Sequence, residues 1–467
     1  MERKNYNTGK REIVVRLVKL ADPVVITLLF VFVWDRFFAE GAAQSVREEV
    51  LIVGLLYFII YVYLTRLYRG YWIHISRMSE LIYAQFLSAI LTLIPMYVVT
   101  LLLQGHLPKV WPMLLLLAVQ FFAIVLWVEL SQRWYFAFHK KRRAIILRTE
   151  EDGSCSQLRK QLRNKHLELA GVFTAEECVD KNFEPLSGAE IVFVCDIRGS
   201  ERERILKACV ERKKTVYLAP GINDALMYGA EGADIMQQPL LYMSFGPKML
   251  EYRMIKRLAD VILSAAGLIV LSPLMLVVAA AIRLEDHGPA FYRQERLTYQ
   301  GRTFQILKFR SMTQDAEKDG RAELSSGESD SRVTRIGRFL RRCRIDELPQ
   351  LINVLKGEMS LVGPRPERPE IAEIYTREIP EFPLRLRMRA GITGYAQVHG
   401  RYNTSPRDKL VMDLLYITRA GFQMDFHILL ATARILFLPE STEGFTKEEV
   451  RDLGLESGPE KEAEQDD

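Results

Sequence analysis

Two carboxylates stand side by side at Asp346 and Glu347, directly after the arginine-rich stretch Arg335-Ile-Gly-Arg-Phe-Leu-Arg-Arg-Cys-Arg-Ile345 and before Leu-Pro-Gln350. Ile336, Phe339, Leu340 and Cys343 recur at helical spacing, so the arginines, Arg335 among them, take the other face. Asp346 then falls at the start of a second helix, with Pro349 in its first turn and Gly357 as its stop. The helix dipole and the neighbouring cations both favour ionised carboxylates there. An ionised aspartate is a nucleophile, and an adjacent carboxylate oxygen suits a hard cation such as Mg2+. Asp346 and Glu347 are therefore the candidate catalytic pair and the candidate metal ligands. Taken alone, the same residues also describe an ordinary helix cap.

The residues that follow favour chemistry. Gly363-Pro364-Arg365-Pro366 fixes an arginine between two rings, which lowers the entropy lost in aiming its guanidinium. A planar fork held this way suits bidentate phosphate recognition. Upstream, Gly288-Pro-Ala-Phe-Tyr-Arg-Gln-Glu-Arg296 and Thr303-Phe-Gln-Ile-Leu-Lys-Phe-Arg310, joined through a glycine-containing linker, predict a β-hairpin. Lys308 and Arg310 are two apart on the returning strand, share a face, and form a pair able to hold a diphosphate. A solvated strand face is the alternative. Residues 312–331 are polar and predict a loop.

These groups have to be positioned beside a membrane. Residues 261–282 carry no charge and contain Ser272-Pro273, where the ring and the missing N–H bend or break a helix and the serine hydroxyl can satisfy a freed carbonyl. Both flanks are basic, which favours a hairpin that enters and returns over a proline-kinked span. Four further apolar stretches, at 24–38, 50–64, 81–103 and 110–130, precede it. The first is weak, because Asp22, Asp35 and Arg36 crowd its ends. Lys and Arg cluster in the N-terminal arm, after the second stretch and after the fourth, which puts both ends of a four-helix unit in the cytoplasm. A fifth crossing would export the motifs; a re-entrant element keeps them inside.

Between these parts, short β runs at 144–147, 189–195 and 215–218 alternate with helical stretches at 157–165 and 202–211, the order of a small parallel Rossmann-type sheet. Its first turn, Arg148-Thr-Glu-Glu-Asp-Gly153, is acidic where a nucleotide phosphate would sit, which favours a structural or assembly role over cofactor binding. The net charge of +5 combines a basic segment at 283–407 with an acidic tail at 439–467 that predicts disorder. The cysteines, 5 in number, form no CxxC pair, so reduced thiols and no zinc site are expected. No cleaved leader is evident at the basic N-terminus.

From about Arg253 to Phe437 the chain resembles the bacterial sugar transferases, the monotopic phosphoglycosyl transferases, in the motifs Asp346-Glu-Leu-Pro-Gln350, Gly363-Pro-Arg-Pro366 and Gly391-Ile-Thr-Gly-Tyr-Ala-Gln-Val-His-Gly-Arg401, and in Asp413, Tyr416 and Asp425. Ala390, Tyr395 and His399 replace the Pro, Trp and Asn expected there; these departures bear on sugar choice and leave the reaction class in place. The resemblance implies transfer of a sugar 1-phosphate from a UDP-sugar to undecaprenyl phosphate, with Asp346 as nucleophile, Mg2+ at Asp346 and Glu347, and Lys308, Arg310, Arg335, Gly363, Pro364, Arg365, Pro366 and Arg401 at the substrate. The alternative is a catalytically silent membrane scaffold or sensor of polysaccharide assembly. The implied architecture is a four-helix transmembrane bundle (1–140), a degenerate Rossmann-like α/β domain (141–245), a re-entrant helix-break-helix (250–285), a mainly α-helical α+β catalytic domain (286–438) and the tail. Multi-pass residence in the bacterial inner membrane follows, with catalysis on the cytoplasmic side, the lipid bilayer as a partner, a homodimer allowed and no nucleic acid.

Overall fold

The computed structural model describes residues 2–38, 44–73, 76, 78–138, 142–149, 167–235, 238–243, 250–313, 332–400 and 404–436. Arg401, the helix expected at 157–165, the acidic turn beyond Thr149, most of the 312–331 loop and the acidic tail lie outside them. The chain divides into two compact units, Met1–Ala219 and Pro220–Asp467.

The first unit begins with helices α1 (Glu2–Phe38), α2 (Gln44–Leu67), α3 (Met78–Gln104) and α4 (Trp111–Phe138). Their shared core is aromatic and aliphatic, with Phe30 stacked on Tyr57 at 4.2 Å between ring centroids. Polar side chains inside it pair across helices: Trp34 Nε1 donates to Thr100 Oγ1 at 3.1 Å and Gln120 Nε2 to the Tyr57 hydroxyl at 2.9 Å, the kind of bond that joins helices where lipid offers no partner. Among the described residues, α2 over Val50–Leu67, α3, and α4 over Trp111–Ala137 are long and apolar enough to cross a membrane, as is one helix of the second unit. Helix α1 falls outside that group, in keeping with the acidic and basic side chains that interrupt its apolar run.

A parallel sheet follows, made of β1 (Arg142–Arg148), β2 (Leu167–Thr174), β3 (Ile191–Val194) and β4 (Thr215–Leu218) in the order β2-β1-β3-β4. β1 is buried on both faces at Ala144, Ile145, Ile146 and Leu147, as expected for a central parallel strand. The β2 strand had no counterpart in the sequence reading, because none of its side chains is fully buried and it holds only two β-branched residues, Val172 and Thr174, both after Gly171. Helices α5 (Ala175–Asp180) and α6 (Gly199–Glu211) cover the sheet, α5 opening with a capping box between Thr174 and Glu177.

In the second unit α7 (Ile222–Met227) leads into the antiparallel pair β5 (Glu231–Ile235) and β6 (Gln238–Tyr242). Helix α8 (Leu250–Asp286) then runs without interruption through Pro273. The expected helix-break-helix is thus one helix here, for a local reason. Proline 273 cannot donate to the carbonyl of Ile269, four residues back, and Ser272 Oγ donates to that same carbonyl at 2.9 Å. Beyond α8 come the hairpin β7 (Phe291–Leu297) and β8 (Thr303–Phe309), α9 (Arg335–Arg342), α10 (Gln350–Lys356), β9 (Ser360–Val362), α11 (Pro369–Glu378), β10 (Gly391–Thr393), α12 (Tyr395–His399), α13 (Pro406–Arg419) and α14 (Phe422–Leu436). β9 pairs in parallel with β10. The hairpin closes through the short turn Tyr299–Gly301, as the glycine predicted.

Candidate active site

Helix α9 is capped by Thr334, whose side chain accepts from the Gly337 amide at 2.9 Å, and it ends where Arg344 adopts a left-handed conformation with φ 53°. That residue reverses the chain into a tight turn, Ile345–Glu347, and only after Leu348 and Pro349 does α10 begin. The expected placement of Asp346 as the residue that opens α10 is therefore corrected. Proline 349, which has no N–H to be satisfied, occupies the capping position, and Asp346 sits one turn earlier with 9% of its surface exposed.

Two elements converge on the turn. From β8, Lys308 Nζ lies 3.3 Å from Glu347 Oε1; from the loop after β9, Arg365 Nη2 lies 3.1 Å from the same oxygen. That loop is held by backbone bonds from Gly363 N to the Thr393 carbonyl and from Gly391 N to the Pro364 carbonyl, both 2.9 Å. A side chain at Gly363 would collide with the Arg389 carbonyl, so only glycine allows this approach. Burial opposes ionisation of Glu347, but Arg365, Lys308 and Arg344 outweigh it and hold the carboxyl well below the usual carboxylate range. Asp346 is pushed up to about 6, first by burial and then by the Glu347 charge, against the pull of Lys308, Arg341 and Arg365. Expecting both carboxylates to be held ionised was right in direction only for Glu347. At neutral pH Asp346 is still mostly ionised, and a raised pKa makes it the more basic oxygen nucleophile.

The cleft is lined by Arg296, Ile306, Lys308, Glu347, Gln350, Arg365 and Pro366. Arg296 and Arg344 are cations that the sequence reading passed over. Arg296 pairs with Phe304 across the hairpin and so shares a face with Lys308, four residues further along β8. Its Nη1 donates to the Pro366 carbonyl at 3.2 Å, and burial pushes it down to about 10. Strand parity could have found it once the register was known; Arg344 had no signal beyond adjacency. Arg310 behaves otherwise. β8 ends at Phe309, and Arg310 is buried in an ion pair with Asp286 at the end of α8, so the structure does not bring it to Glu347 beside Lys308. Arg335 is exposed at the start of α9, where its amide and that of Ile336 donate to Glu285 Oε1. In the 382–389 stretch Pro383, Arg387 and Arg389 are exposed, while two residues turn inward. Phe382 is buried, and Arg385 bonds Asp413 at 2.8 Å and the Arg365 carbonyl at 2.9 Å.

As metal donors, Asp346 and Glu347 offer two hard oxygen ligands; among the described residues no cluster of three or more His, Cys, Asp or Glu side chains occurs. Mg2+ commonly takes one or two carboxylates and completes its shell with substrate phosphates and water. The pair fits an ion that arrives with a phosphate ligand.

Comparison with known proteins places the segment that carries these residues in a family. The model of the bacterial sugar transferase family matches residues 251–439. A UDP-N-acetylgalactosamine-undecaprenyl-phosphate N-acetylgalactosaminephosphotransferase of Aeromonas hydrophila is 38% identical over 250 residues, 52% of this chain and 58% of that protein. A UDP-glucose:undecaprenyl-phosphate glucose-1-phosphate transferase of Caulobacter vibrioides is 42% identical over 191 residues, 40% of this chain and 71% of the relative. An undecaprenyl-phosphate glucose phosphotransferase of Komagataeibacter xylinus is 43% identical over 187 residues but matched over only 35% of its length. The chain belongs to the bacterial sugar transferase family.

Proposed function

We propose that the protein transfers a sugar 1-phosphate from a UDP-sugar to undecaprenyl phosphate, releasing UMP, at the cytoplasmic face of the bacterial inner membrane. The observation that carries this reading is the buried Asp346–Glu347 pair with Lys308, Arg344 and Arg365 gathered on it, inside the segment that matches the family. A carboxylate oxygen of Asp346 attacks the phosphorus that bears the sugar, the phosphorus–oxygen bond to UMP breaks, and the phosphosugar stays on Asp346. Lys308, Arg365 and Arg296 line the cleft where the charge of the diphosphate has to be neutralised. An oxygen of the lipid phosphate then attacks the same phosphorus and frees Asp346. Asp346 and Glu347 would hold Mg2+, which when bound neutralises further phosphate charge. The relatives are named for different sugars, N-acetylgalactosamine and glucose, so the reading extends to the sugar-phosphate class.

Helix α8 is read as entering the membrane without crossing it, because both its halves pack on one catalytic layer. Gly267 lies against Leu351 of α10, while Val278 and Ile282 pack with Phe309 and Leu340. The helical rise between residues 267 and 278 is about 17 Å, short of the roughly 30 Å hydrocarbon core. Between those contacts Ile269, Val270, Leu276 and Val277 face outward as an apolar surface. The parallel sheet of the first unit is read as a degenerate Rossmann-like domain without a cofactor.

Undecaprenyl-phosphate-dependent UMP release, measured across a panel of UDP-sugars, tests the reading; no release with any sugar defeats it. Mass spectrometry of protein quenched with UDP-sugar alone should find the phosphosugar on Asp346, and an adduct elsewhere removes that assignment.

A further inference from the structure

One stripe of α8 reaches both arms of the cleft. Arg257, Asp260, Ser264 and Gly267 recur at steps of three and four, so they lie along a single helix face. Arg257 donates from Nη1 to the Val354 carbonyl at 2.6 Å and from Nη2 to the Leu355 carbonyl at 2.8 Å. These carbonyls belong to the last turn of α10, where helix-internal donors run out and a cation complements the dipole. Gly357, at φ 87°, ends that helix with its Cα side against the same guanidinium; a Cβ there would lie 3.3 Å from Nη2. One turn further along α8, the buried Asp260 accepts from the Leu361 amide through Oδ1 at 3.0 Å. Leu361 is the middle residue of β9, which runs directly into Gly363-Pro364-Arg365-Pro366. A third tie anchors the same end of α8: Tyr252 and Lys256 each reach Asp425 Oδ2 of α14 at 2.8 Å.

We infer that Arg257 and Asp260 are positioning residues, through which the membrane-embedded helix separately sets the dyad arm and the arginine arm of the cleft. Arg257 fixes the far end of α10, and with it the turn carrying Asp346 and Glu347. Asp260 fixes β9, and with it the height at which Arg365 meets Glu347. The two bonds lie one helical turn apart on one rigid element, so the spacing of the arms is referenced to α8. Neither residue touches the cleft.

The kinetic readouts rest on the proposed transfer; a second readout does not. In full-length protein in lipid nanodiscs, Arg257→Lys keeps the flanking positive charge but replaces the rigid two-nitrogen fork with a single nitrogen on a flexible stem. It is expected to lower kcat about tenfold with KM for the UDP-sugar within about twofold, a loss in the range that small misplacements of reacting groups cause. Asp260→Ala removes the acceptor of β9 and is expected to raise that KM about tenfold through Arg365, whereas Asp260→Asn keeps a side-chain oxygen and restores it. Hydrogen exchange should accelerate over 345–356 in Arg257→Lys and at Leu361 in Asp260→Ala, each variant leaving the other arm protected. Equal kcat and KM changes in both variants that track their melting temperatures, or wild-type values in both, overturn the assignment, as does failure of Asn to rescue. If the wild-type protein releases no UMP the transfer reading falls, and the exchange pattern still decides the positioning: arm-specific loss of protection supports it, and uniform or unchanged exchange overturns it.

Discussion

The parallel sheet of the first unit and the cleft of the second handle charge in opposite ways. Around the sheet the buried set, including Ile145, Leu147, Val192, Val194, Ile205 and Cys209, is apolar, and the charges at the strand ends face outward. Asp196 and Arg198 pair with each other at 2.9 Å, with side chains 42% and 59% exposed. In the cleft Lys308 and Glu347 pair with side chains only 20% and 13% exposed, and beside the Arg365 loop Arg385 and Asp413 pair at 5% and 1%. Drawing ions out of water costs several kcal/mol each, and an apolar replacement is often neutral or better. A chain that hides charge around the cleft and keeps it wet around the sheet is showing where its chemistry lies.

The strongest way to break this contrast is Asp346→Asn. Turnover should fall by about four to six orders of magnitude, the scale on which enzymes lose a nucleophile. Folding should not suffer, and the sign is set by linkage. The folded pKa of Asp346, about 6, lies above the ordinary aspartate value, so the stability it contributes is present at low pH and is lost as pH rises through about 6. Asparagine is never ionised and escapes that loss. Melting curves at pH 5 and pH 7.5 should show the variant equal to or above wild type, with its advantage at the higher pH, while wild-type activity rises with pH through about 6. A variant that melts lower at pH 7.5 would place Asp346 among the stabilising charges.

Glu347→Gln should do the reverse. Its depressed pKa means stability that is present above the ordinary glutamate value and lost as pH falls through the folded value. Removing the charge leaves Lys308 and Arg365 buried or half-buried without a shared anion, a loss of roughly 3–5 kcal/mol for a broken buried pair. Denaturant titration at pH 7 checks it. The two neighbouring carboxylates would then differ in sign on stability while both lose activity.

What the sequence made legible follows the same division. The dyad, the Gly-Pro-Arg-Pro loop and the β-hairpin were readable because each rests on a local rule: adjacent carboxylates, rings that fix an arginine, alternation along a strand. Lys308 lies 3.3 Å from Glu347, a pairing the sequence reading did not name. Arg310 did not reach Glu347, because alternation stops with the strand and its surroundings were set by Asp286, a residue of α8 whose proximity no local rule predicts. Arg296 was overlooked for the complementary reason: facing Lys308 depends on the hairpin register, known only once the Tyr299–Gly301 turn is fixed. The unbroken run of α8 through Pro273 was half legible. Ser272 was recognised as a partner for a freed group, but not that its bond to Ile269 suffices to continue the helix.

A smaller effect separates the two arginines of the hairpin. Arg296 lines the cleft, so Arg296→Lys should raise KM for the UDP-sugar several-fold, a point charge replacing a fork that also holds the Pro366 carbonyl. Arg310→Lys should leave KM near wild type and lower the melting temperature, because its partner is Asp286. Steady-state kinetics beside thermal melts distinguish them, and a KM effect at Arg310 equal to that at Arg296 would return Arg310 to the substrate.

The smallest effect belongs to the sheet. Arg198→Ala removes one member of an exposed ion pair that double-mutant cycles elsewhere value at about 0.2–1 kcal/mol, partly screened by salt. Beside it Thr149 Oγ1 donates to the Asp196 carbonyl at 3.1 Å, an exposed contact of the same kind. Arg198→Ala should therefore shift the denaturation midpoint barely beyond error, leave kcat and KM unchanged, and leave any shift of melting temperature caused by UDP, UMP or NAD the same as in wild type. A nucleotide that raises the melting temperature of wild type but not of Arg198→Ala would show that exposed charge at a strand end had been misjudged as scaffold, and the contrast between wet and buried charge would fail in the unit where it is most easily tested.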